Sequence, residues 1–380
     1  MYFAVYSTIT QSSGEESNHS MRHYTNSLIE NRSFRDIASP FIVLMGCILV
    51  GCGRTQPSAP IGAQTPLTGA KAGPFRIALI LSGSSADHGW NQGAYEALKT
   101  VQQSLHLSSN DVSVKEQAVS ADSQLQNLRA FASQGFTMVI GNGEEYEKPA
   151  LRIAPDFPNT LFVIASGSQK ARNVTPIVFK LEDGAYLEGM LAAGMSHTGK
   201  IAAIGGDPSA PVKSVLAAYA LGAKAVNPGI TVLNPIYTND WEDVGRAKQA
   251  ALALIGQGAD VIIQDLDSAA QGVFDAVKQS GRPGQPVYAL GTNSDQNSSA
   301  PDVILASATI NVTPVFLQIA TELKEGKYTP SNAPYGLKSG VIGFVYNPVL
   351  VNIIPAALKQ KIEDAKNKIE AGTLIIPRAS

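Results

Sequence analysis

The stretch Arg76-Ile77-Ala78-Leu79-Ile80-Leu81-Ser82-Gly83-Ser84, followed by Asp87-His88-Gly89-Trp90-Asn91-Gln92-Gly93, decides the fold. Its first part is apolar throughout rather than alternating, as a parallel strand buried on both faces requires. Small residues then break the run. Apolar residues return at spacings of three and four over residues 93–104, which predicts a helix. The same succession recurs along the chain. Strands are expected at 112–117, 138–141, 161–165, 201–204, 230–237, 261–264, 287–290 and 303–308. Helices are expected between them at 120–134, 181–195, 212–226, 244–257 and 269–280. Strands alternating with helices of this length argue for an α/β chain with parallel sheets and crossover helices.

The strand-to-helix junctions carry small or polar residues: Ser82-Gly83-Ser84, Gly141-Asn142-Gly143, Ser166-Gly167, Gly205-Gly206, 265–269 and 291–295. In doubly wound sheets such junctions lie at the carboxyl ends of strands, where ligands bind. Spread over two domains, these junctions predict a cleft lined from both sides. That is the architecture of a two-lobed solute-binding protein.

The N-terminus gives the compartment. Residues 41–50 form an apolar run far short of the about 20 residues that span a bilayer, with the dimensions of a signal-peptide core. Leu49-Val50-Gly51-Cys52 resembles a bacterial lipobox, in which Cys52 is acylated and becomes the first mature residue. Residues 1–51 are thus a leader. Its better start is Met21, with Arg22, Arg32 and Arg35 ahead of the apolar run, because residues 1–20 carry the adjacent Glu15 and Glu16. Residues 52–74 are rich in Pro, Gly, Ala, Thr and Gln, a composition that cannot bury enough surface to order itself, so a flexible tether is expected. Several acyl chains hold a protein where one holds it only marginally. The expected location is the cell membrane, lipid-anchored, on the extracytoplasmic side.

Beyond the tether about 300 residues remain, enough for two domains of ordinary size. Hydrophobic residues make up 44% and charged residues 16% of the chain, with a net charge of −2. There is no basic excess of the kind that neutralises nucleic-acid phosphates, so no nucleic-acid partner is expected. Both cysteines, Cys47 and Cys52, fall in the signal region, so neither a disulfide nor a thiol nucleophile is expected in the mature fold.

Enzyme motifs fail on inspection. Gly194-Met195-Ser196-His197-Thr198-Gly199-Lys200 matches the first seven positions of a phosphate-binding loop, but Ile201 replaces the Ser/Thr that would hold magnesium. It also precedes a strand instead of following one, and Gly199 reads better as a helix C-cap. Gly141-Asn142-Gly143 lacks the third glycine of a dinucleotide fingerprint, because Tyr146 stands there. The five histidines show no metal-ligand spacing. The reading is non-enzymatic, with no cofactor and no metal.

The binding signals are stronger. The chain's two tryptophans, Trp90 and Trp241, both stand in polar turns, Asp87–Gln92 and Asn239–Asp243 in outline, where a core tryptophan would have apolar neighbours. A flat aromatic face beside carboxylates and amides suits a planar, polar-edged ligand, at about 1–3 kcal/mol per stacked base. Asn91 can donate and accept, while an ionised Asp87 only accepts. Alternatively, Trp90 packs the start of its helix and Asp87 caps it. Tyr146, at another strand end, is a third aromatic wall or a half-buried surface tyrosine. Of Asp265 and Asp267, and of Asn293 and Asp295, one member of each pair turns the loop and the other faces the ligand. Ser166 and Gly206 join the candidate site by their places at strand ends.

Several of these motifs, taken in order, resemble the basic membrane protein family. They are Asp87-His88-Gly89-Trp90-Asn91-Gln92-Gly93, Ala185-Tyr186-Leu187-Glu188-Gly189 with Thr198-Gly199-Lys200-Ile201, and Gly205-Gly206. Gly222-Ala223-Lys224-Ala225-Val226-Asn227-Pro228, Gly258-Ala259-Asp260-Val261-Ile262 and Ser294-Asp295-Gln296 continue the match. The family comprises substrate-binding lipoproteins of ABC transporters, and the chain is similar to its purine nucleoside receptor. The resemblance implies a type I periplasmic-binding-protein fold, two doubly wound lobes with a ligand cleft between them. Lobe 1 would be residues 75–178 with 292–336, and lobe 2 residues 179–291 with 337–376.

It also implies a purine base or nucleoside as ligand, an ABC permease as partner, and a Trp90–Trp241 sandwich around the base. Asp87 and Asn91 would hold the base edge or order the turn. The remaining candidates are Tyr146, Ser166, Gly206, Asp267 and Asn293. Two departures bear on the ligand. Gly291-Thr292-Asn293 stands where the family has Gly-Val-Asp, whose aspartate holds ribose hydroxyls, and Ile310 replaces a lysine beside Asn311. A free base or a different planar solute then fits better than a riboside. The other readings are a ligand-sensing receptor of the same fold and a binder of another small solute, such as a sugar.

Overall fold

Runs of isoleucine, valine and leucine pair into two separate sheets, each covered by helices. The structure, a computed structural model, describes residues 73–379. The leader, Cys52 and the tether to residue 72 lie outside the described residues.

The chain begins with β1 (Ile77–Leu81), α1 (Trp90–Ser104), β2 (Val112–Lys115), α2 (Ala121–Ser133) and β3 (Met138–Asn142). There follow α3 (Glu147–Ile153), β4 (Leu161–Ala165) and β5 (Val174–Phe179). Next come α4 (Leu181–Met195), β6 (Lys200–Gly205), α5 (Ala210–Val226), β7 (Thr231–Val232) and β8 (Ile236–Tyr237). After them stand α6 (Val244–Gly256), β9 (Val261–Asp265), α7 (Ala270–Ser280), β10 (Tyr288–Gly291) and β11 (Ile304–Ile310). The last elements are α8 (Thr313–Lys324), β12 (Pro334–Tyr335), β13 (Ile342–Tyr346) and α9 (Ala356–Glu370).

The first sheet has the order β12-β5-β4-β3-β1-β2, and the second β13-β11-β10-β9-β6-β7, with β8 also pairing β6. Pairing is parallel except where β13 closes the second sheet against β11. β1, β3, β4 and β9 are buried at every position. In β1, Ile77, Leu79 and Leu81 pack to one side, while Ala78 and Ile80 pack to the other. This double burial is what the unbroken apolar runs foretell.

Four departures from the sequence expectations have local causes. The strand expected at 230–237 is two short pieces, because Pro235 has no N–H to give a ladder. β5 escapes a propensity reading because Pro176 interrupts it. The strand tolerates that proline because β12 reaches only Val178 and Phe179. The return to the first sheet, expected at 292, comes after Ile310, since β11 pairs with both β10 and β13 of the second sheet. Gly199 is not the cap of α4: the helix ends at Met195 with Ser196 as C-cap, and Gly199 turns the chain three residues later at a φ of 71°.

That turn also settles the loop resembling a phosphate cradle. The Asp260 carboxylate accepts hydrogen bonds from His197 N (2.6 Å), Thr198 N (2.8 Å) and Ser196 Oγ (2.6 Å). The N–H groups a phosphate would need are already spent on a carboxylate.

Glycine sets how closely α4 and α5 approach. A Cβ on Gly189 would lie 1.9 Å from the Tyr219 carbonyl oxygen, and one on Gly222 would lie 1.9 Å from that of Tyr186. The helices therefore touch backbone to backbone. Gly189→Ala forces them apart and should cost about 1–3 kcal/mol. Urea unfolding followed by far-UV circular dichroism measures it. Gly256→Ala, where a Cβ meets nothing within 4 Å, serves as the neutral control.

Candidate functional site

Asp87 organises the first loop of the cleft. One oxygen, Oδ1, accepts from Gly89 N and Gln92 N at 2.9 Å each. The other, Oδ2, accepts from Asn91 N at 2.8 Å and Asn91 Nδ2 at 2.9 Å. The carboxylate thus satisfies orphan N–H groups at the start of α1 and matches the positive end of that helix. Of the two roles open to Asp87, ordering the turn is the one its bonds display.

This turn aims Trp90. Its Nε1 donates to the Asn142 carbonyl at 3.0 Å, and its ring meets Phe179 edge-on at 5.9 Å between centroids. With the indole N–H spent, the ring presents apolar surface to a small cavity. Phe179 from the first sheet, Asn293 and Ile310 from the second half, and Val312, where the chain returns to the first half, share that cavity. A second small cavity shares Asn293 and Ile310 with it and lies wholly among residues 181–342. Glu188 and Asp265 stand in its wall. Asn293 Nδ2 donates to Asp265 Oδ1 at 3.3 Å, from a backbone with φ of 67°. Asparagine tolerates that left-handed conformation better than most residues.

Trp241 lies against Gly206. A Cβ there would sit 2.4 Å from two ring atoms, so only glycine allows the contact. The Trp241 carbonyl accepts from Asp267 N and Ala269 N, tying its loop to the end of β9. Trp241 lines neither cavity, so the sandwich with Trp90 is not assembled in this arrangement.

The halves meet across the cleft through polar groups. Asn91 Nδ2 donates to Asp267 Oδ2 at 3.0 Å while also donating to Asp87. Ser294 Oγ donates to the His88 carbonyl at 2.6 Å. Burial holds the Asp267 carboxyl well above the ordinary carboxylate range, and the charges of Asp87, Asp265 and Glu242 push it further.

The placements differ in outcome. Trp90 and Asn293 line the cleft, Asn91 and Asp267 clasp it, and Asp87 and Gly206 shape its two loops. Tyr146 is corrected: it is fully buried in the core of the first half, its ring against Gly141 and its hydroxyl donating to the Ala118 carbonyl at 3.3 Å. A glycine at 141 leaves a hollow that the ring fills, and this turns it away from the cleft. Ser166 follows β4 at a φ of 57° and lines neither cavity. Phe179, Val312 and Glu188 were not anticipated. Phe179 follows from β5 once that strand is recognised; Glu188 carries no sequence signal, being one acid in a helix buried on nearly every side.

Two parallel α/β halves whose strand ends share one cleft define a solute-binding protein of the periplasmic-binding fold. The chain belongs to the Bmp family, described as ABC transporter substrate-binding protein, PnrA-like, which matches residues 75–380. It is 28% identical over 300 residues to a purine-binding protein of Brucella abortus (strain 2308), covering 79% of this chain and 82% of that one. It is 28% identical over 338 residues to the ABC transporter nucleoside-binding protein BmpA of Lactococcus lactis subsp. cremoris, covering 85% and 94%. A solute-binding protein of Aeropyrum pernix K1 superposes with a TM-score of 0.72 at 20% identity, over 80% of this chain and 94% of that one.

The raised Asp267 carboxyl has a definite pH signature. The folded state holds this proton more tightly than the unfolded chain, so its contribution is full at low pH and is lost as pH rises through the folded value. Asp267→Asn keeps an acceptor for Asn91 and removes the charge. Its melting temperature should therefore gain on the wild type as pH goes from about 5 to about 8. A gap that stays constant across that range would refute the assignment.

Proposed function

We propose that this protein is a lipid-anchored receptor that captures a purine base or nucleoside and delivers it to the permease of an ABC importer. The observation that carries the reading is the Trp90 ring, which offers apolar surface to a cavity whose walls come from both halves. The relatives named for purine and nucleoside binding support the same ligand class. Residues 75–179 with 311–336 act as one lobe, and 180–310 with 337–376 as the other. Asn91–Asp267 and Ser294–His88, both made in this structure, hold the two lobes together over the solute. A ligand that touches both lobes favours the closed state, which the permease reads. Cys52 carries the lipid that keeps the receptor on the extracytoplasmic face, and among the described residues no helix is long and apolar enough to cross a membrane.

Thermal melts of the full chain in detergent with adenine, adenosine, guanosine and galactose test the ligand class. A purine at a thousandfold excess over its Kd adds about 4 kcal/mol of stability. Trp90→Ala should abolish that gain and leave the ligand-free melt cooperative. If galactose raises the melting temperature and no purine does, the ligand class is wrong.

The anchor is read separately. Expressed in a bacterium, the wild type should enter the detergent phase of a Triton X-114 separation and incorporate labelled palmitate. Cys52→Ser should do neither.

A further inference from the structure

The cavity beneath the Trp90 cavity has an unusual lining. Glu188 on α4 is 0% exposed, and its Oε1 accepts from Ala308 N at 3.1 Å. Its Oε2 is buried and has no hydrogen-bond partner among the described residues. Asp265, at the end of β9, stands in the same wall and receives one bond, from Asn293. No Lys, Arg or His is among the described residues lining either cavity. The other polar groups there are Thr292 and Thr309, and the Thr292 hydroxyl is already spent on the Gln264 carbonyl at 2.9 Å.

Taking a carboxylate out of water costs free energy unless donors and opposite charge replace the water. Glu188 has one donor and no cation. Burial, and then the charge of Asp265, hold its carboxyl well above the ordinary range. Burial also lifts Asp265, to about 6. A structural acid would have its second oxygen satisfied. Here the free oxygen belongs to a side chain in the wall of a cavity that shares the lining residues Asn293 and Ile310 with the Trp90 cavity.

We propose that this cavity is a subsite for a positively charged nitrogen of the solute, an ammonium-like group held between Glu188 Oε2 and Asp265. A hydroxyl would bring one donor and no charge, and so would not draw the buried carboxyl into its ionised form. An ammonium gives three donors and the missing charge together. Leu181, Ala185, Val215 and Ile342 around it exclude water, which strengthens the pairing. The preferred solute is then a planar ring system bearing an amine. The proposal rests on the cleft assigned above as the solute site and adds a chemical preference within it.

Isothermal titration of the full chain in detergent tests it with two matched pairs. One is adenosine against 5′-amino-5′-deoxyadenosine, and the other phenethyl alcohol against phenethylamine. In the wild type the amine of at least one pair should bind about tenfold more tightly than its alcohol, the scale of one charge-assisted hydrogen bond. Glu188→Gln should bring that ratio close to one, and Asp265→Asn should lower it in the same direction. Should Glu188→Gln fail to melt cooperatively, Asp265→Asn decides. Alcohols that bind as well as their amines in every pair that binds to the wild type overturn the proposal, and so does a ratio untouched in a folded variant. If neither nucleoside binds, the purine reading falls and the phenethyl pair alone decides: amine preference upholds the subsite, and equal or no binding overturns it.

Discussion

A parallel strand buried on both faces can present chemistry only at its carboxyl end. Most of the candidate site follows from that constraint. β1, β3, β4 and β9 are inaccessible along their length, so the cavities are lined from the turns that leave them, from the last residue of a neighbour, as with Phe179, and from the helices packed beside them, as with Glu188. Two such sheets concentrate those turns on one cleft. The helices do the complementary work, and α4 and α5 are drawn together until only glycine fits between their backbones.

The cleft itself is governed by carboxylates with different duties. Asp87 is fully engaged with the start of α1 and behaves as part of the helix. Asp267 serves the opposite half, and Asn91 is shared between the two. One amide group therefore links the geometry of a single turn to the approach of the second sheet. A clasp of this kind is weak by itself, about 0.5–1.5 kcal/mol for a typical bond, and this suits a contact that must open again.

How much of this was legible depended on whether a residue's signal was local. β1 and β9 were readable because an unbroken apolar run needs no partner to be recognised. Trp90 was readable because a tryptophan among Asp, His, Asn and Gln has no core to join. β5 was hidden by Pro176, whose tolerance depends on how far β12 extends, a matter settled more than 150 residues later in the chain. Tyr146 misled because its direction is fixed by the hollow over Gly141. Glu188 was silent because helical periodicity marks the covered face only when the covering elements are known, and α4 is covered by α5, α9 and the second sheet together. The family resemblance supplied the order of motifs, which local chemistry does not give.

The absence of Lys, Arg and His from the described cavity linings has a consequence for what the protein refuses. An anionic group entering the cleft meets the carboxyl groups of Asp265 and Glu188 with no cationic side chain among those linings to pair with it. A phosphorylated solute would bring about two negative charges at neutral pH and lose their hydration in doing so. These linings therefore suit an uncharged ring system better than its phosphorylated form.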